Sequence, residues 1–132
     1  MKKLLIRTIC ILLIVATISP FVFAEDNVGI QPRYTYIQYV AAEIQINNSV
    51  ANCSATFRTY DQYDLKITCQ LQQKLDGKWK TIATWYAENS NSNYVISQRN
   101  LSIINGEQYR FAVYGYVYRG DSLLENAYTC AV

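Results

Sequence analysis

From residue 34 onward, apolar and polar side chains alternate with period two, the pattern of half-buried β-strands. Tyr34 to Tyr39 and Glu43 to Ile46 predict a first strand with a break at Ala41-Ala42. Asn47-Asn48-Ser49 is a turn cluster. Ala51, Cys53, Ala55 and Phe57 then alternate with Asn52, Ser54, Thr56 and Arg58, and Asp61 to Asp64 punctuates. Leu65, Ile67, Cys69 and Leu71 form the next apolar face. Asp76-Gly77 is the strongest hairpin signal in the chain, and Lys78 to Tyr86 is the returning strand. Glu88 to Asn93 predicts a loop, Tyr94 to Leu101 a strand and Asn105-Gly106 a turn. Tyr109 to Tyr118 is the most regular strand, and Asn126 to Val132 closes the series after a turn at Arg119 to Ser122. About seven short strands with turns between them predict an all-β fold, an antiparallel two-sheet sandwich. A barrel gives a similar pattern.

The hairpin at Asp76-Gly77 decides which face carries the tryptophans. A two-residue type I′ turn sets Leu71 opposite Ile82 and puts Trp79 and Trp85 outside. A three-residue loop with a bulge at Gly77 sets Leu71 opposite Thr81 and turns both inward. The face of Trp79, Thr81, Ala83 and Trp85 is uncharged, whereas the other holds Lys78 and Lys80, costly to bury unpaired. The bulge is therefore expected, with both tryptophans in the core. Lys66, Gln70, Gln72, Lys80, Ile82 and Tyr86 are then expected on the outer face, joined by Tyr114, Tyr116 and Tyr118.

The first 24 residues follow different rules. Lys2, Lys3 and Arg7 precede an apolar stretch, Pro20 breaks it, and Val22-Phe23-Ala24 offers a small residue at a cleavage point. This predicts a secretory signal helix over 1–24 and one domain over 25–132, secreted and extracellular or attached to the cell wall. A membrane anchor is the competing reading, but the uncharged run is short for a span. The 132-residue chain has twelve Lys and Arg and ten Asp and Glu. Removing Lys2, Lys3 and Arg7 leaves nine basic against ten acidic residues. A near-neutral domain without a basic cluster argues against nucleic acid as a partner.

Three cysteines remain after cleavage: Cys53, Cys69 and Cys130. An exported chain meets oxidising conditions, so a disulfide is expected. Cys53 and Cys69 share the phase of buried neighbours and are the favoured pair, worth about 3 kcal/mol by loop closure. Cys130 is the alternative partner, or a free thiol.

The absence of histidine removes the Ser-His-Asp and Cys-His catalytic arrangements and histidine-ligated zinc. The acidic residues are scattered, and neither nucleotide-binding nor nucleophile-elbow motifs occur. No enzyme activity, metal or cofactor is expected. Arg119-Gly120-Asp121 reads as a turn.

Leu101, the Asn105-Gly106 turn and Tyr109-Arg-Phe-Ala-Val resemble the E–F corner and F strand of fibronectin type III and immunoglobulin-like domains. The resemblance implies that Tyr109 is a tyrosine corner, its hydroxyl bonded to backbone upstream. No cysteine lies in the Tyr109 to Tyr118 strand, so the immunoglobulin-type bridge is excluded. In layout the chain also looks like short exported Gram-positive bacterial proteins of unassigned function.

Tyr86, Tyr114, Tyr116 and Tyr118 form the candidate binding face. Tyrosine combines a flat ring with a hydroxyl, which suits a glycan or protein partner. It is also a favoured strand residue, and the row has a purely structural explanation. The expected function is an extracellular binding module. A toxin-like or bacteriocin-like effector is the alternative from another class, and would need an apolar segment released on contact.

Overall fold

The computed structural model describes residues 33–132. The leader expected at 1–24 lies outside the described residues. The rest is all-β: β1 (Ile37–Asn47), β2 (Val50–Leu75), β3 (Lys78–Ser102), β4 (Tyr109–Arg119) and β5 (Ser122–Ala131). They form one antiparallel sheet in the order β1-β2-β4-β5, with β3 also paired to β2, curled into a half-barrel.

Five strands stand where about seven were expected, because two pairs run together. Residues of β2 keep one parity throughout: Ala51, Cys53, Ala55, Phe57, Thr59, Leu65, Ile67, Cys69 and Leu71 are all buried. The polar run at 60–64 bends the strand without ending it. Opposite it, the expected loop at 88–93 stays extended, with Asn91 at φ 48° absorbing the bend. As a result β2 pairs first with β1 (Ala55 with Ala42) and then with β4 (Cys69 with Val113). It pairs with β3 along both stretches.

The concave side is the core. Phe57 and Phe111 are fully buried, and Phe111 stacks on Trp85 at 5.5 Å and 9°. Trp85 Nε1 donates to Ser97 Oγ at 3.0 Å, which ties the two halves of β3 across the curl. Glu125 closes the other side. A bulge at Leu124 sets it opposite the buried Val117. There its carboxylate accepts backbone N–H bonds from Thr35, Tyr36 and Ile37 at 2.8–2.9 Å.

The hairpin departs from the expected one. Leu75 pairs with Lys78, and Asp76 and Gly77 both have positive φ (52° and 76°), so the turn is the two-residue form. The register instead slips further along, where Leu71 faces Ala83, Gln72 faces Thr81 and Ile82 is the extra residue. Trp85 therefore points into the core, as expected, whereas Trp79 lies on the outer face, correcting the expectation for that residue. Lys78 and Lys80 share the inner face's phase at no cost, because the hairpin tip overhangs the core and both stay exposed. Trp79 instead carries the Arg110 guanidinium over its ring at 4.6 Å. Arg110 Nε donates to Gln72 Oε1 at 2.7 Å.

Candidate binding face

Alternation along the strands places the tyrosines. On β4 the buried set is Tyr109, Phe111, Val113 and Val117, so Tyr114, Tyr116 and Tyr118 project outward, each half-buried by its neighbours. On β3 the slip at Ile82 sends Trp85 inward and Tyr86 outward, where it is 76% exposed. Pairing then builds rows across the sheet. Tyr86, Thr68, Tyr114 and Tyr128 form one, and Glu88, Lys66, Tyr116 and Asn126 the next.

These rows make a trough. Thr68 and Lys66 on β2 are its floor, Tyr86 and Glu88 on β3 one wall, Tyr116 and Tyr118 on β4 the other. Two strand spacings make it about 10 Å wide, with rows about 7 Å apart. Its volume is about 560 Å³, within the usual range for small-molecule sites. Lys66 turns its ammonium over the Tyr118 ring at 5.2 Å. Tyr114 packs against Tyr128 with ring centroids 4.9 Å apart. The Tyr128 hydroxyl is pushed above its usual range, first by burial and then by the neighbouring Cys130 thiol.

All four expected tyrosines thus share one face, but only Tyr86, Tyr116 and Tyr118 line the trough; Tyr114 belongs to the packed pair with Tyr128. Gln70, Gln72, Lys66 and Ile82 lie on or beside this face, whereas Lys80 lies on the opposite one, facing Gln73. Glu88 was missed because ENSNSN has loop composition. Thr84, Tyr86 and Glu88 nevertheless keep period two, and that alternation was the signal available. A second groove, also about 560 Å³, opens on the outer side of the β1 end, among Glu43, Gln45, Asn52, Ser54, Gln98 and Asn100. It contains no aromatic ring.

The cysteines correct an expectation. Cys53, Cys69 and Cys130 are all free thiols, so the expected disulfide is not formed. Cys53 and Cys69 do point into the core, and burial pushes both thiols up to about 11. Cys53 is raised further by Cys69 nearby, whereas the Cys69 thiol is engaged with the Ser97 hydroxyl. Cys130 is exposed at the sheet edge. Among the described residues, no group of three His, Cys, Asp or Glu side chains could hold a metal ion.

No family model matches the chain, and no curated protein does. Among solved structures, a candidate β-galactosidase from Bacteroides fragilis is similar at TM-score 0.46 and 8% identity. The match covers 69% of this chain and 15% of that one. The E. coli curli protein CsgC matches at TM-score 0.42 and 6% identity, over 69% of this chain and 94% of its own. R. palustris CsgH matches at 0.38 and 9%, over 64% and 84%.

Proposed function

We propose that this chain is a secreted, non-enzymatic binding module that holds an extracellular glycan or protein on its tyrosine-bearing face. One observation carries the reading: an amphipathic trough, with Tyr86 almost free of packing, lies on a sheet face whose floor strand β2 is hydrogen-bonded on both sides. A ring that contributes little to the fold stands next to a cation, a carboxylate and two further tyrosines.

The fold belongs to the same proposal. Pairing of one end of β2 with β1 and of its other end with β4, while β3 follows both, supports reading the curled sheet as a fibronectin III or immunoglobulin-like sandwich whose layers stay joined at the bends. The Tyr109 corner supports it too, since Ile104 N–H donates to Tyr109 Oη at 2.9 Å.

The test is an array of extracellular glycans and purified surface proteins, probed with the wild type and with Tyr86→Ala. The expected result is a ligand retained by the wild type and lost by the variant, at an unchanged melting temperature. Equal retention by both proteins would refute the proposal.

A further inference from the structure

The geometry points to a linear, neutral glycan as the occupant of the trough between Tyr86 and Tyr116, lying along β2. This inference rests on the binding-module reading and narrows its ligand. One feature distinguishes the floor of the site from a peptide groove. The floor strand β2 is hydrogen-bonded on both sides, to β3 and β4. A peptide laid along it would find no free backbone groups with which to pair as an added strand. Its own amides would have to be satisfied by a handful of side chains or left unmet.

A sugar makes different demands. Each ring has an apolar C–H face, which stacks on aromatic rings, and an edge of hydroxyls that both donate and accept. The trough is lined by the rings of Tyr86, Tyr116 and Tyr118, of which Tyr86 is the most exposed, and by an amphoteric hydroxyl at Thr68. Glu88 accepts only and Lys66 donates only. Those two stand opposite each other in one row, and Lys66 is held over Tyr118. One positive and one negative group across the floor leave no net charge for an acidic or basic polymer to recognise. The trough spans two rows about 7 Å apart along β2, room for successive sugars of one chain laid along the strand.

Affinity electrophoresis of the purified protein tests this, in native gels cast with galactomannan, hydroxyethylcellulose or laminarin, and with polygalacturonate as the anionic comparison. Retardation is expected in at least one neutral glycan and should persist in about 0.5 M NaCl, where exposed charges are screened. Tyr86→Ala should weaken it about tenfold, the loss of one stacked ring. Glu88→Gln should weaken it less, at an unchanged melting temperature. Retardation by polygalacturonate alone, or its loss in salt, would overturn the inference. So would the absence of retardation in all three neutral gels; if Tyr86→Ala then abolishes capture of a purified surface protein, the binding module stands and only the glycan falls. Identical retardation of wild type and Tyr86→Ala would remove both.

Discussion

Gly115 faces the flat of the Phe57 ring, and a Cβ at that position would lie 2.6 Å from Phe57 Cε2. The two residues do not pair: Gly115 sits on β4 opposite Ile67, and Phe57 at the far end of β2 opposite Val40 and Val95. They meet only because the sheet curls. The closeness of that approach sets how tightly the half-barrel can close.

Gly115→Ala should therefore destabilise the fold by about 1–3 kcal/mol, the usual cost of overpacking a filled core. Adding Phe57→Leu should recover part of the loss. Urea denaturation of both singles and the double would measure the coupling; additive effects would refute the proposed contact.

Tyr109→Phe should cost about 1 kcal/mol. It removes the hydroxyl that accepts the Ile104 N–H while leaving the buried ring in place. Hydrogen exchange at the Ile104 amide should accelerate in the variant, and an unchanged rate would argue against the corner.

Glu125→Ala should cost about 2 kcal/mol, because three backbone N–H groups at the start of β1 lose one charged acceptor. Exchange should quicken at residues 35–37 before it does elsewhere. Uniform quickening across the sheet would show that the carboxylate does not anchor β1.

Alkaline pH should weaken the protein under reducing conditions. Cys53 and Cys69 have pKa values near 11 in the fold against 9.0 for a free thiol. Between about pH 9 and 11 the unfolded chain loses thiol protons that the folded chain keeps. The contribution is complete below 9 and disappears as pH rises through 11, at roughly 2–3 kcal/mol per thiol. Replacing both residues with alanine should flatten stability against pH in that window relative to the wild type. An unchanged slope would refute the assignment to the two thiols.

Much of this architecture is written in alternation. The phase of Ala51 to Leu71 places each core residue of β2, and Tyr114, Tyr116 and Tyr118 fall outward for the same reason. What composition concealed was continuity. Asp61 to Asp64 and Glu88 to Asn93 look like loops, yet the parity of Phe57 and Leu65 is conserved across the first of them, which a true chain reversal need not preserve. The Trp79 error had a different origin. Polarity decides a face only where that face is buried, and an overhanging hairpin leaves Lys78 and Lys80 in water on either register. The slip at Ile82 depends on how Trp85 meets Phe111 and Ser97, partners 26 and 12 residues further along the chain, so no local pattern encodes it.

The single long β2 has a consequence for how the molecule comes apart. β1, β3 and β4 all bond directly to it, and β5 hangs from β4. β1 belongs to one end of the half-barrel and β4 and β5 to the other, but β2 and β3 run through both. Loss of order in β2 removes the template for its three neighbours at once, so global denaturation should be a single cooperative event in which the binding trough and the Glu125 anchor vanish together.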